Sequence, residues 1–398
     1  MVNSNANAIG IIFPNSYDNL VPELAGDRLM ASIPFAGRYR IIDFLLSSLA
    51  NCGISNISIV VRENYHSLMD HLGSGREWDL LRKNGGLSIF PPYAEKNMKV
   101  YSGRVEALES ILQFLKNKKE KYVIMTDANI AVDFDFNDML RAHIESGADV
   151  TVAYAEQEIP AELIHAGAHG DMYYTLKLED GRVKRIFMNP EESGKQNLSM
   201  NIYIMEREAL IEKIHAAFVR GYSYFERDIL APRLEKYNVR AYKYEGYYAR
   251  ICGLKSYFDE NMKLLDDENL EALFTGGPVY TKIRDDNPTR YITGCKAKNN
   301  LVADGCVIEG DVENCILFRG VKIEKGAKIR NSVLMQDTVV KAGGRLDYVV
   351  TDKNVTIEVG QELKGTDTQP FYVAKGHTVY QSRSSGWGRL PSPPPWCG

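Results

Sequence analysis

The feature that most restricts the fold is a six-residue period toward the C-terminal end. Small or apolar residues recur at Cys315, Val321, Ala327, Val333 and Val339, with larger aliphatics two places on at Leu317, Ile323, Ile329 and Met335. With glycines at Gly320 and Gly326, this period specifies a hexapeptide β-helix. Three short parallel strands make one triangular coil, inward side chains stack coil on coil, and the glycines serve the corners. A string of hairpins is the competing reading, but hairpins do not hold one six-residue phase over five repeats.

The preceding chain follows a different rule. Short apolar runs at Ala8–Phe13, Ile57–Val61, Tyr122–Met125, Asp149–Ala155 and Ile202–Met205 read as strands. Between them, helices are expected at Tyr39–Leu49, Glu106–Lys116, Asn137–Glu145, Arg207–Phe218 and Ser256–Leu265. This alternation predicts an α/β domain with a mostly parallel sheet. The Gly-, Pro-, Asp- and Asn-rich stretch after it reads as a linker.

With 398 residues there is room for two or three domains, and a core needs no disulfide staples. Six cysteines without a C-x-x-C pair favour free thiols in a reducing compartment. A net charge of −4 gives no field for nucleic acid or an anionic membrane, and no run of 18 apolar residues exists. A polar segment from Met1 to Ala8 carries no secretion signal, so the expected location is cytoplasmic.

An α/β domain before a hexapeptide solenoid is the layout of sugar-nucleotide pyrophosphorylases, and particular residues narrow this. Pro34-Phe35-Ala36-Gly37-Arg38-Tyr39-Arg40-Ile41-Ile42-Asp43-Phe44 closely resembles the PFGGxYRIIDF block of glucose-1-phosphate adenylyltransferases. Leu301 to Leu317 resembles the start of that family's solenoid, and Asp352-Lys353-Asn354-Val355 its later DKNV turn. Thr126-Asp127, Ser199-Met200-Asn201-Ile202-Tyr203 and Phe225-Glu226-Arg227-Asp228-Ile229 extend the resemblance over roughly residues 8 to 380. It implies a Rossmann-like nucleotidyltransferase domain over 1–272, a linker over 273–299 and a left-handed parallel β-helix over 300–381. A disordered Pro-rich tail follows over 382–398.

The family joins a sugar phosphate to the α-phosphate of ATP and expels pyrophosphate, which requires anion cradling and a divalent cation. The family's cation is Mg²⁺, and Asp127 and Asp228 match its metal-binding aspartates; against that, an Asp at a strand end is more often a turn or helix-cap residue, and without the phosphate cradle the ion lacks its substrate ligands. Arg40, Asp43, Ser199 and Asn201 are read as remnants of the substrate site. Other positions are degenerate. The glycine-rich phosphate turn is replaced by Phe13-Pro14-Asn15-Ser16-Tyr17-Asp18-Asn19-Leu20, which has neither glycine nor cation. Pro14 removes a backbone donor, and side chains such as Asn15 and Asp18 fill space that glycine leaves to phosphate. The family's Lys-Pro becomes Met30-Ala31, and its FxEKP block becomes Phe187-Met188-Asn189-Pro190, without the carboxylate or the ammonium. The YxGTADA element reads Tyr101-Ser102-Gly103-Arg104-Val105-Glu106-Ala107.

Release of every anion contact on a retained fold resembles the non-catalytic, regulatory subunit of the family's bacterial enzymes. The partner so implied is a homologous catalytic subunit in a hetero-oligomer, a tetramer, with an allosteric effector near Arg319 and Lys322. The alternative is an active nucleotidyltransferase in which Arg28, Arg38 or Arg104 replaces the lost cations. A hexapeptide acyltransferase would need a catalytic histidine, and Leu301–Gly365 has none. The pairs His66/His71 and His165/His169 are assigned no metal.

Overall fold

The structure, a computed structural model, describes residues 7–83, 85–92, 101, 103–164, 172–191 and 194–380. The tail over 382–398, with Cys397, and the pair His165/His169 lie outside the described residues. Nine strands form the main sheet: β1 (Ala8–Phe13), β2 (Asn56–Val60), β3 (Gly86–Phe90), β4 (Tyr122–Asp127), β5 (Val150–Glu158), β6 (Tyr174–Glu179), β7 (Arg182–Met188), β8 (Lys195–Glu206) and β9 (Val239–Lys243). Their spatial order is β3-β2-β1-β4-β8-β5-β9-β7-β6.

The sheet is mixed rather than mostly parallel. β3, β2, β1 and β4 run parallel, but β8 lies antiparallel to both β4 and β5. β6 and β7 form a hairpin through Asp180 and Gly181, at φ 50° and 71°. A two-residue turn with both residues left-handed matches strand twist and forces antiparallel pairing. Charged residues on β6 and β7 conceal these strands from a search for apolar runs.

The principal helices are α1 (Ile41–Asn51), α2 (Arg104–Ser110), α3 (Leu112–Lys116), α4 (Phe136–Glu145), α5 (Arg207–Val219), α6 (Leu254–Lys263) and α7 (Asp267–Ala272). The single helix expected over Glu106–Lys116 is two. Ser110 Oγ turns back onto the Ala107 carbonyl at 2.7 Å just before the break at Ile111. Alternate residues of β1 feed two cores, Ile9 and Ile11 on one face and Ala8 and Ile12 on the other.

The C-terminal solenoid is built of parallel strands. Lys296 pairs with Asp311, fifteen residues on, and Asp311 with Lys328, seventeen on. Left-handed residues stack at its corners: Asn299, Asn314, Asn331 and Tyr348 at one, Gly326, Gly343 and Gly360 at another, and Gly320, Asp337, Asn354 and Gly376 at a third. The asparagine side chains form a ladder, Asn299 donating to Asn314 at 2.8 Å and Asn314 to Asn331 at 3.3 Å. Asparagine tolerates this backbone and can bond to its copy on the next coil.

A seventeen-residue coil shifts the six-residue phase by one position per turn, which corrects part of the reading above. Cys315 stacks on Ser332 rather than Val333, and Val339 is half-buried while Thr338 and Val340 are buried. Val333 and Met335 face the α/β domain, packing with Ile316, Phe318, Tyr257 and Phe258. Inside the stretch read as a linker, Arg290–Tyr291 and Lys296–Val302 are already solenoid strands. Its Gly294 and Asn299 are left-handed turn residues. The solenoid also reaches Thr378–Val379, so His377 sits in its last coil, where it is exposed.

Candidate functional site

Phe13 and Asp127 end β1 and β4 and are direct register partners. In an open α/β sheet the crevice beyond the carboxyl ends of such strands is the ordinary ligand site. A cavity of about 160 Å³ lies there, walled by Ser16, Tyr17, Arg104, Asp127, Asn201 and Glu226 among others.

The segment after β1 is folded back on itself. Asn15 Oδ1 accepts from the Arg62 backbone N–H at 2.8 Å, and its Nδ2 donates to Asp18 at 2.8 Å and to the Glu63 carbonyl at 3.1 Å. Asp18 in turn accepts the Met30 N–H at 2.6 Å, and Ala31 N–H reaches the Pro14 carbonyl at 3.3 Å. Tyr17 sits in the left-handed region at φ 69°, buried, with its hydroxyl donating to the Met172 carbonyl at 2.7 Å. Pro14, Asn15, Asp18 and the buried Met30 therefore make a turn closed on its own side chains.

The end of β4 is the electrostatic centre. Asp127 accepts from Arg104 Nη2, Ser16 Oγ and Asn201 Nδ2, each at 2.7 Å. The other arm of Arg104 meets Glu226, and its guanidinium lies 5.0 Å from the Phe13 ring and 5.4 Å from the Tyr203 ring. Burial works against this charge, but the Asp127 and Glu226 carboxylates outweigh it and hold the Arg104 pKa well above its ordinary value. Burial, then Glu226, also drives the Tyr203 phenol up.

This arrangement does not fit the metal site implied by the resemblance. Asp228 does not line the cavity: its carboxylate accepts the Ser223 and Tyr224 N–H groups at 3.1 and 2.9 Å and pairs with Arg227 at 2.7 Å. Burial raises its pKa, but Arg227 and the two backbone donors win and lower it. Asp127, the remaining carboxylate of that pair, is taken by a guanidinium. No group of three or more His, Cys, Asp or Glu suited to a metal ion occurs among the described residues.

Of the other expected substrate contacts, Asn201 is in the cavity and bonds to Tyr17 at 2.8 Å, whereas Ser199 is buried behind it and accepts the Asn201 N–H at 3.1 Å. Met188 is exposed, and Asn189, left-handed at φ 46°, holds Tyr173 through two hydrogen bonds of 2.8 and 3.0 Å. That block is a structural turn. Arg40 and Asp43 are not in the cleft at all: Arg40 bonds to Ser67 at 2.7 and 2.9 Å, and Asp43 meets His71 at 2.6 Å.

Arg40 lines a second cavity, about 410 Å³, where the α/β domain meets the solenoid. Arg38, Arg319 and Lys353 share its wall, while Lys322 does not. Burial, opposed by Asp43, lowers the Arg40 pKa to about 10. Of the three cations weighed as replacements, Arg38 is here and Arg28 is bound to Asp352 at 2.6 Å, so Arg104 alone reaches the cleft. Glu226 and Tyr17 were missed as cleft residues. An arginine in the altered 101–107 segment beside a retained aspartate was the available signal.

The nucleotidyl transferase family matches residues 24–267, and a GlmU-like, C-terminal hexapeptide family matches residues 283–379. The chain is 36% identical over 374 residues to the glycogen biosynthesis protein GlgD of Geobacillus stearothermophilus, covering 94% of this chain and 97% of that one. It is 32% identical to the GlgD of Bacillus subtilis with the same coverage. To the glucose-1-phosphate adenylyltransferase of Bacillus mycoides it is 32% identical over 338 residues, covering 84% of this chain and 88% of that one. The closed turn and the arginine in the cleft are thus set in a chain that belongs to the glucose-1-phosphate adenylyltransferase family of nucleotidyl transferases, together with the GlgD proteins.

Proposed function

We propose that this protein is a regulatory, catalytically deficient subunit of glucose-1-phosphate adenylyltransferase, supporting ADP-glucose synthesis from ATP and glucose 1-phosphate for glycogen. It acts in the cytoplasm in a hetero-oligomer, of tetrameric size, with a homologous catalytic subunit, and its solenoid is a left-handed β-helix. The observation that carries this reading is Arg104, bound to Asp127 and Glu226 where the reaction needs a divalent cation and polyphosphate. The cationic cavity between the domains is the place for an allosteric anion, since several positive groups share one enclosed wall.

The alternative, an active nucleotidyltransferase with a rebuilt loop, requires Arg104 to be free for phosphate, and both its arms are engaged. The test measures ADP-glucose formation by the purified chain alone and after co-expression with a catalytic homologue. No turnover alone, with a changed rate or effector response in the mixture, is expected. Turnover alone at a rate typical of the catalytic homologue refutes the proposal.

A further inference from the structure

The junction cavity holds an amine that neither the fold nor the cleft uses. Lys353 is half-buried in the turn after the strand Val349–Thr351 and lines this cavity of about 410 Å³. Five further cations share the lining, Arg38, Arg40, Lys282, Arg284 and Arg319; the carboxylates against them are Asp70, which Lys282 holds at 3.0 Å, and, outside the lining, Asp286 at 3.3 Å from Arg284 and Asp304 at 3.9 Å from Arg38. The adjacent Asp352 gives both carboxylate oxygens to Arg28, at 2.7 and 2.6 Å. Its link to Lys353 is to the backbone N–H, at 2.7 Å, and not to the amine.

An ammonium in this position is disfavoured. Burial first, then the charges of Arg40 and Arg28, press the amine toward its neutral form, lowering its pKa to about 7. Asp352 opposes this, Lys375 adds to it, and His71 faces the same charge. A neutral lysine is a nucleophile. The wall around it recruits compact dianions. These properties match the two halves of one class of reagent.

We propose that Lys353 is an acylation site whose donors are small acyl phosphates, bound through their phosphate by the arginines of the junction cavity. The Lys353 Nζ lone pair attacks the carbonyl carbon, and the bond from that carbon to the phosphate oxygen breaks with its electron pair on phosphate. The amine proton passes to water or to the departing phosphate. The products are a neutral amide and inorganic phosphate, so no further reactant is needed. Acylation removes a charge that the site opposes and lowers the pull of the wall on any later anion. The inference shares its cavity with the effector reading but needs no partner subunit.

The probe is acetyl phosphate on the full chain, with acetylation of each lysine followed by peptide mass spectrometry from pH 6 to 9. At pH 7.5 an ordinary lysine has roughly one part in a thousand of its amine neutral, so Lys353 is expected to react at least about tenfold faster than Lys375. Its rate rises through pH 7 and then levels, while the exposed lysines still gain at pH 9. Millimolar inorganic phosphate slows Lys353 and spares Lys375. Arg319→Gln slows Lys353 without moving its pH profile, and Lys353→Arg removes the signal. A rate at Lys353 no faster than at Lys375, or one that phosphate leaves unchanged, overturns the proposal. Equal labelling by acetyl-coenzyme A overturns the claim that the donor's phosphate is recognised. Phosphate that binds without any acetylation at Lys353 leaves the effector reading standing and removes this one.

Discussion

Arg28 donates to both carboxylate oxygens of Asp352, at 2.7 and 2.6 Å, and both side chains are buried. The pair ties the segment ahead of Pro34 in the α/β domain to the solenoid. Tyr372 adds to it, since its hydroxyl lies 3.1 Å from Asp352 and 2.6 Å from the Glu23 carbonyl. Removing one member of a buried pair costs about 3–5 kcal/mol, because the other charge stays buried without its partner. Arg28→Met and Asp352→Asn are each expected to lose stability on that scale in denaturant titrations. The double variant Arg28→Met/Asp352→Leu should lose less than the sum of the two. Single-variant losses below about 1 kcal/mol would contradict a fixed junction.

Arg104 poses the opposite question, whether its removal restores chemistry. Arg104→Met leaves Asp127 and Glu226 facing one another in a buried site, with an expected loss of about 3–5 kcal/mol. ADP-glucose formation should remain undetectable, because the turn at Asn15 and Asp18 is still closed by its own hydrogen bonds. Measurable turnover by this variant would make Arg104 the sole block and the loop irrelevant.

The sequence made the architecture legible wherever burial alone chose the residue. β1 matched its apolar run to the residue, and the glycines at 320 and 326 are left-handed corners. It misled where one side chain had two surfaces to choose between. Val333 satisfies a six-residue period, yet the seventeen-residue coil turns it toward Tyr257 and hands the inner position to Ser332. In the cleft, the loss of glycine and lysine could be read directly. That Arg104 would find both Asp127 and Glu226 could not, because these residues come from distant segments and meet only after folding. Asp228 shows a motif match that leaves two roles open, metal ligand or cap, and the local geometry makes it a cap for the N–H groups of Ser223 and Tyr224.

Acid should weaken the fold through two histidines. Burial lowers the pKa of His71, against the opposing pull of Asp43, and burial likewise lowers that of His143, which bonds to Thr151 at 2.8 Å. In the unfolded chain both titrate near 6.5, so below that pH the unfolded state takes up protons that the folded state refuses. Stability present above pH 6.5 is therefore lost as pH falls toward the lower folded values. Melting temperature is expected to drop between pH 7 and 5, and His143→Gln should flatten that slope. An unchanged slope would mean that His143 takes up its proton as readily in the folded protein as in the unfolded chain, against the burial argument.

Lys353 gives the other pH window, with the penalty on folding rather than the gain. Its amine binds a proton in the unfolded chain up to about pH 10.5 and in the folded one only below about 7. The penalty is thus full below pH 7 and fades as pH rises toward 10.5. Lys353→Met, which keeps the stem and discards the charge, should raise the melting temperature by a few degrees at pH 6.5, an effect of about 1 kcal/mol on a chain of this size. The gain should shrink by pH 9.5. Inorganic phosphate should stabilise the wild-type chain more than the variant at pH 6.5, because only there does the cavity carry its sixth lysine or arginine charge. A variant less stable than wild type at pH 6.5 would show that the ammonium has found a favourable partner and that burial does not dominate at this site.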